Sequence, residues 1–407
     1  MRILSVATFA FPDHHGGAER VLAETAARLA ARGHEVTLLC ARVGDTAPEE
    51  RRDGVRVLRY EVERTSPLRF HASVRRGVRA AFARAGGPPP DIVHLHQYAS
   101  GLAALRLRAV RRAPRLLSFY APYHLEWLAG RLDGRPTGRA GPLLRAGAAL
   151  LRRGDRRLVR TAHAILVLSR FSAAQVAALD ANAPARTTLA PPGVDLQRFR
   201  PAADAREAAA CAGQFLLPAD GLPVLLSVRR LVPRMGLLDL IEALRLMRAR
   251  GVKARLVLAG EGSQQRVLAE RARAAGLSEE VALLGRVPDE RLPTLYRAAS
   301  VYALPTRSLE GFGMSTAEAL ASGLPVVATD AGATPELLEG IEGCALVPPA
   351  DAGALAAELQ RLLADPARRA RAAAAARLHA ERRLGWDGHV QAVEEAALRA
   401  IATRSAR

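Results

Sequence analysis

Aromatic residues make up only 4% of the 407 residues, so hydrophobic cores must be built from Ala, Leu and Val. Lysine is nearly missing. Lys253 is the one lysine, and every other basic residue is arginine. Three cysteines, Cys40, Cys211 and Cys344, lie far apart with no CxxC pair. Neither a disulfide framework nor a cysteine zinc site is suggested, and a reducing cytoplasm fits. No apolar run reaches about 18 residues, so no membrane span is expected. The first ten residues hold one Arg and a short apolar run. They read as a strand entering a glycine turn and not as a secretory leader.

What the chain does have is ordinary globular content, 49% hydrophobic and 24% charged. Its length is too great for one core and suits two domains of nearly equal size. The net charge of +19 predicts attraction to anions: phosphates, nucleic acid or acidic lipid. Charge alone does not choose among these.

Short apolar runs alternate with amphipathic ones. Residues 3–7, 35–40, 55–59, 92–96, 115–119 and 164–168 read as strands, with helices at 18–32 and near 68–84. Residues 224–228, 255–259, 281–284, 301–304 and 325–328 repeat the pattern. Such alternation implies parallel sheets covered by helices on both faces, an α/β architecture. No fixed-period repeat is present, which excludes a solenoid. Pro191, Pro192, Gly193 and Pro201 break regular structure. The expected division is a first domain at 1–192, a second at 193–385, and a final helix at 386–407 packing back toward the first. The tail from residue 365 onward is helical in character, rich in Ala and Arg, and interrupted by Gly385 near Trp386.

The most informative segment is Glu310-Gly-Phe-Gly-Met-Ser-Thr-Ala-Glu318, followed by Ala-Leu-Ala-Ser-Gly323. Gly311 and Gly313 let backbone approach a ligand closely. Ser315 reads as a helix N-cap, with Glu318 three residues on. The amides of such a helix start form an anion site. Glu310, in the loop before it, is placed to accept hydrogen bonds from hydroxyls. Phosphate on amides and hydroxyls on a carboxylate is what a nucleotide sugar requires. The plain structural reading of Ser315 and Glu318 is a capping box, and of Gly323 a helix C-terminal residue.

The whole string resembles the signature of glycosyltransferase family 4, retaining enzymes of the GT-B fold, in which two Rossmann-like domains face an interdomain cleft. The resemblance implies that Glu310 contacts donor-sugar hydroxyls and that Glu318 contacts the nucleotide ribose. It also implies that backbone at Gly311, Phe312, Gly313, Met314 and Ser315 holds the diphosphate or sugar. Other segments agree in order. Gly16-Gly17-Ala-Glu19 resembles the N-terminal glycine loop facing the diphosphate. Pro192-Gly-Val-Asp-Leu-Gln-Arg-Phe199 resembles the interdomain turn. Leu258-Ala-Gly-Glu261-Gly262 resembles the glycine turn after a strand. Leu284-Gly-Arg286-Val287-Pro288 resembles the stretch whose backbone reads the base. The match covers nearly the whole chain.

Two departures stand out. In Ser227-Val-Arg-Arg-Leu-Val-Pro-Arg-Met-Gly236 the family pattern has an Arg at Arg230 and a Lys where this chain has Met235. Arg234 is next door, and arginine grips phosphate with two parallel bonds, so it is expected to supply the charge. The alternative is a solvated arginine loop. In Ser118-Phe-Tyr-Ala-Pro-Tyr-His-Leu-Glu126 many relatives have His at Tyr120. A tyrosine keeps a hydrogen bond but does not titrate near neutral pH, and His124 is a candidate partial replacement. His94 and His96 share a strand face and are candidates to line the cleft. A metal there would need a third ligand that cannot be placed.

Two amphipathic arginine-rich stretches, 69–84 and 139–160, suit either an acidic membrane surface or helices packed on the sheet with arginines in solvent. Nucleic-acid binding is disfavoured, because aromatics are not interleaved with the basic runs. The expected activity is metal-independent, retaining transfer of a sugar from a nucleotide-diphosphate donor, with no cofactor. The acceptor is a glycan, a lipid-linked molecule or a small molecule. The expected site is cytoplasmic or peripheral at the inner face of the cell membrane. Arg230, Arg234 and the Gly17 loop would stabilise the leaving diphosphate. The rivals are a non-catalytic sugar-nucleotide-binding protein, a sugar-nucleotide epimerase and a membrane scaffold. A nicotinamide dehydrogenase is disfavoured, because Gly16-Gly17 is not followed by the three-glycine fingerprint and ribose-binding acid in the expected places.

Overall fold

Strands buried on both faces carry unbroken apolar runs, and most of the fourteen strands among the described residues read this way. The computed structural model describes residues 1–132 and 140–405. These divide into two compact units, one made of residues up to 192 together with residues 387 onward, the other of residues 193–386.

The first unit holds β1 (Arg2–Val6), β2 (Glu35–Ala41), β3 (Glu49–Arg52), β4 (Val55–Tyr60), β5 (Ile92–Leu95), β6 (Arg115–Phe119), β7 (Ala164–Val167) and β8 (Thr187–Leu189). Their order is β3-β4-β2-β1-β5-β6-β7-β8. Every pairing is parallel except β3 with β4. Ile3 of β1 lies opposite Val36 on one side and Ile92 on the other. Strand order therefore reverses between β1 and β5, where an open parallel sheet leaves a crevice at its carboxyl ends.

One face of this sheet is covered by Leu22, Ala26 and Leu29 of the helix Gly17–Ala31 together with the helix Trp386–Ser405. Its Val390, Val393, Ala396, Ala397 and Ala400 share an apolar cluster with Ile3, Val36, Ile92 and Leu166. His389 of the same helix places Nε2 2.9 Å from Thr25 Oγ1 and donates from Nδ1 to the Ala190 carbonyl at 3.0 Å.

The second unit holds β9 (Val224–Val228), β10 (Arg255–Ala259), β11 (Val281–Gly285), β12 (Val301–Leu304), β13 (Val326–Thr329) and β14 (Ala345–Val347), in the order β11-β10-β9-β12-β13-β14. All pairings are parallel. Here the reversal falls between β9 and β12. The segments leaving those two strands, 229–236 and 305–313, thus start beside each other by topology.

Three strands were not expected. The Glu-Glu-Arg-Arg of β3 is an edge strand without an apolar pattern, while β8 and β14 are three residues each. The tail forms the helices Pro366–Arg383 and Trp386–Ser405, broken at Leu384 and Gly385.

The basic stretches are helices Pro67–Ala85 and Pro142–Thr161; Arg139 lies outside the described residues. The first buries Val74, Val78 and Ala81 in the core. The second buries Leu158 and Val159, but Leu143 and Leu150 are 89% and 63% exposed. Among the described residues no helix is long and apolar enough to cross a membrane. All three cysteines are free thiols.

Candidate active site

In the second unit, β9 ends at Val228 and the chain turns at once under the Gly260–Gly262 loop. Arg229 N–H donates to Ala259 O at 2.9 Å and Leu231 N–H to Glu261 O at 2.8 Å. A Cβ on Gly260 would collide with the Arg229 carbonyl, and one on Gly262 with that of Leu231. This explains the two glycines on steric grounds. Gly260 N–H in turn donates to Gly285 O at 2.7 Å. The carboxyl ends of β9, β10 and β11 are thereby stitched together, with the side chains of Glu261 and Arg286 exposed and Val287 half-buried.

Opposite, β12 leads into a loop ending at Glu310. Leu309 has φ +59, a left-handed conformation that costs a branched side chain energy. Arg234 braces this turn, donating from Nη1 to the Leu309 carbonyl at 3.2 Å and the Ser308 carbonyl at 3.4 Å. Ala333 N–H donates to Glu310 O at 2.8 Å. Gly332, at φ +62, lies so close to the Glu310 backbone that no side chain fits.

The Glu310 carboxylate meets a cation that sequence reading passed over. Arg229 donates from Nη2 to Glu310 Oε2 at 2.8 Å and from Nη1 to Thr306 Oγ1 at 2.6 Å. Arg230, the residue singled out from the sequence, has an exposed side chain. Met235 is 6% exposed and belongs to the apolar core, so no charge stands there.

The helix after Glu310 spans Met314–Ala321, and its N-cap is Gly313, not Ser315. Gly313 has φ +96, open only to glycine. The expected capping box does not form. Ser315 Oγ instead accepts from the Tyr302 hydroxyl at 2.8 Å, and Glu318 Oε2 accepts from the Tyr296 hydroxyl at 2.9 Å. Glu318 is buried. Burial pushes the Tyr302 phenol up to about 12, so it donates at any physiological pH. Gly311 is half-exposed, Phe312 is buried, and Met314 and Ser315 are half-buried. The first-turn amides here have no partner within the helix.

In the first unit, β1 leads into a loop clamped by Gln97, another residue the sequence did not flag. Its Oε1 accepts from Thr8 N–H at 2.6 Å and Phe9 N–H at 2.8 Å, while its Nε2 donates to Glu19 Oε1 at 3.0 Å. Gly16 caps the helix Gly17–Ala31, and both glycines are exposed. A Cβ at Gly16 would run into the Glu19 carboxylate.

Tyr120 OH lies 3.0 Å from His96 Nδ1. Burial raises the Tyr120 phenol above its ordinary range and drives His96 well below its own. His94 and His96 are buried, with ring centroids 3.9 Å apart, rather than open to solvent. His94 bonds Ser118 Oγ at 2.8 Å, and burial lowers it to about 3. His124 is also engaged, its Nδ1 2.7 Å from Asp155 Oδ2. Asp155 accepts from the His124 and Tyr123 amides as well, at 3.1 and 3.3 Å, and burial raises its pKa. Among the described residues no group of three His, Cys, Asp or Glu side chains is placed to hold a metal ion.

Two largely parallel sheets with the same strand-order reversal, each with glycine turns and helix starts at its carboxyl edge, are the architecture of the GT-B fold. The solved structure of sucrose-phosphate synthase from Thermosynechococcus elongatus shares the fold, with a TM-score of 0.82, 23% identity and 99% of both chains covered. Residues 15–198 match Glycosyltransferase Family 4, and residues 214–379 match glycosyl transferases group 1. D-inositol 3-phosphate glycosyltransferase of Xylanimonas cellulosilytica is 30% identical over 410 residues, 96% of this chain and 94% of the relative. GDP-mannose-dependent alpha-(1-6)-phosphatidylinositol monomannoside mannosyltransferase of Mycolicibacterium smegmatis is 33% identical over 267 residues, 57% of this chain and 68% of the relative. The chain belongs to glycosyltransferase family 4, and it is a nucleotide-sugar glycosyltransferase.

Proposed function

We propose that the enzyme moves a sugar from a nucleotide-diphosphate donor to a hydroxyl acceptor with retention of configuration and without a metal ion. The observation that carries this reading is the pairing of Glu310, at the β9/β12 reversal, with the helix start at Gly313. A carboxylate suited to sugar hydroxyls precedes amides suited to phosphate by three residues. Departure of the nucleoside diphosphate is the costly event. Arg230, with its exposed guanidinium, and the amides of Met314 and Ser315 stabilise the charge that develops. Arg234 contributes by holding the strained Leu309 turn and hence the height of Glu310. Glu318, with Tyr296, fixes the helix and is the candidate ribose contact. Backbone at Gly260–Gly262 and Gly285–Val287 is the candidate wall for the base. Gly16 and Gly17 are the candidate diphosphate loop of the first unit. Tyr120, held by His96, is the candidate hydrogen-bond donor of the first unit.

The acceptor is a glycan, a lipid-linked molecule or a small molecule. The names of both relatives contain inositol, which puts inositol-bearing compounds first in an acceptor panel. A membrane-side acceptor also fits helix Pro142–Thr161. Leu143 and Leu150 stand seven residues apart on one stripe beside exposed Arg145, Arg152, Arg153 and Arg157, a pattern suited to an acidic bilayer at the inner face of the cell.

The test begins with thermal or denaturant shifts on a panel of UDP, GDP and ADP sugars. The correct donor at a hundred times its dissociation constant stabilises the fold by about 2.7 kcal/mol. Turnover with an acceptor then releases nucleoside diphosphate, unchanged by EDTA, and the product keeps the donor's anomeric configuration by NMR. Conversion of donor with no acceptor present would favour an epimerase. Binding without turnover against any acceptor would favour a non-catalytic sugar-nucleotide binder.

A further inference from the structure

Three arginines follow β9, and they point to three different tasks. Arg230 is exposed, and Arg234 spends Nη1 on the Ser308 and Leu309 carbonyls. Arg229 is the inward one, its side chain only 5% exposed. Its backbone is trapped under Gly260, where any side chain would strike its carbonyl. The guanidinium therefore leaves from a fixed point.

That guanidinium reaches two acceptors on the facing loop. Nη1 donates to Thr306 Oγ1 at 2.6 Å, and Nη2 to Glu310 Oε2 at 2.8 Å. The Thr306 hydroxyl lies 3.4 Å from the same carboxylate oxygen. Thr306 is itself anchored, because the Thr329 hydroxyl donates to its carbonyl. Every bond to the carboxylate thus converges on Oε2. Oε1 accepts no hydrogen bond from the described residues, and the Glu310 side chain is 16% exposed. The Arg229 Nε is buried with no partner, so this guanidinium is committed to the facing loop by its two Nη atoms alone.

We propose that Arg229 is the positioning residue of this site. It fixes Glu310 through Oε2, so that Oε1 alone is presented to the hydroxyls of the donor sugar. This rests on the proposed function above. Met235 takes no part in this pair; it belongs to the apolar core. A planar fork with two parallel donors can hold both Thr306 and Glu310, whereas a lysine offers a single point charge and cannot span the two in the same way.

The experiment compares Arg229→Met, Arg229→Lys and Thr306→Val with the wild-type enzyme. Three quantities are read: affinity for the nucleoside diphosphate alone, kcat and KM for the intact donor, and discrimination against a donor lacking one sugar hydroxyl. Positioning predicts that Arg229→Met leaves diphosphate affinity unchanged. It predicts that kcat/KM falls about 100-fold, the scale expected when a reacting-site group is misplaced by about an ångström. It also predicts that most of the discrimination between the two donors is lost. Arg229→Lys recovers part of the rate but little of the discrimination. Combining Arg229→Met with Glu310→Gln costs no more than Glu310→Gln alone, since both act through one carboxylate. Equal loss of diphosphate and donor affinity would overturn the proposal in favour of a direct phosphate contact. So would discrimination that survives Arg229→Met. Should Arg229→Met not fold, Thr306→Val removes one anchor of the fork, and unaltered discrimination there also overturns it. If the wild-type protein binds nucleoside diphosphates but no nucleotide sugar, the functional reading fails first, and the pair Arg229–Glu310 is structural only.

Discussion

The Tyr296 hydroxyl stands 2.9 Å from Glu318 Oε2 and 3.0 Å from the Ser315 carbonyl, on a side chain with no solvent exposure. A buried carboxylate stripped of a donor keeps its full desolvation cost. Tyr296→Phe is therefore expected to destabilise the second unit by about 1–3 kcal/mol, read as a lower urea midpoint. Donor binding falls with it, because the helix that carries Met314 and Ser315 is held by this residue.

Gly332 supports Glu310 by being small. With φ +62 and the Glu310 backbone where a Cβ would go, Gly332→Ala must push the Glu310 loop away. The expected stability loss is about 1–3 kcal/mol, with kcat/KM reduced by about 100-fold. A denaturation curve and steady-state kinetics on the same preparation check both. Ala substitution at Gly388, whose Cβ would meet nothing, serves as the control and leaves both values near wild type.

Stability should fall on mild acidification because of His94, His96 and His389. Burial depresses all three below the ordinary histidine value of 6.5. The unfolded chain takes up protons near pH 6.5, while the folded chain does not until its own lower pKa. The contribution is therefore complete above pH 6.5 and is lost as pH falls toward the folded values, about 3 for His94. His94 and His96 each add a slope of about 1.4 kcal/mol per pH unit below pH 6.5, and His389 adds in the same direction. Urea midpoints between pH 7.5 and 5 should drop steadily. His94→Asn, whatever its stability at pH 7.5, should show a slope smaller by about one proton.

For the exposed stripe on helix Pro142–Thr161, vesicle flotation is the check. The wild-type protein should float with vesicles containing acidic lipid, and less so as salt rises. Leu143→Glu with Leu150→Glu should reduce partitioning more than about tenfold, given the apolar area each leucine can bury. Activity on a water-soluble acceptor should stay unchanged. Equal flotation of wild-type and doubly substituted protein would remove the membrane from the proposed function.

Much of the sheet architecture was legible because a doubly buried strand has no choice of pattern. Arg115–Phe119, Val224–Val228, Arg255–Ala259 and Val301–Leu304 fall where the apolar runs place them. What stayed hidden obeys other rules. The β3 strand is Glu-Glu-Arg-Arg on an antiparallel edge, set by pairing with β4 and not by burial. The Ser315-x-x-Glu318 pattern is a valid capping signal, but a left-handed Gly313 ends the loop earlier, and two tyrosines from elsewhere in the unit claim Ser315 and Glu318. Nor does local sequence say which of Arg229 and Arg230 turns inward. That is decided by Thr306 and Glu310, some eighty residues downstream, arriving beside β9 through the strand-order reversal. Gln97 and Asp155 escaped notice for the same reason: each serves amides distant in the chain.

The covering of the first sheet by Val390, Val393 and Ala400 has a bearing on biosynthesis. The ribosome emits β1 nearly four hundred residues before the helix that shields it. Throughout that interval Ile3, Val36 and Ile92 lack their final apolar neighbours, while the second unit, contiguous along the chain, can mature without waiting. The nascent amino-terminal half is thus the portion most in need of chaperone protection, and a premature stop after residue 386 would strand it permanently in that sticky, half-finished condition.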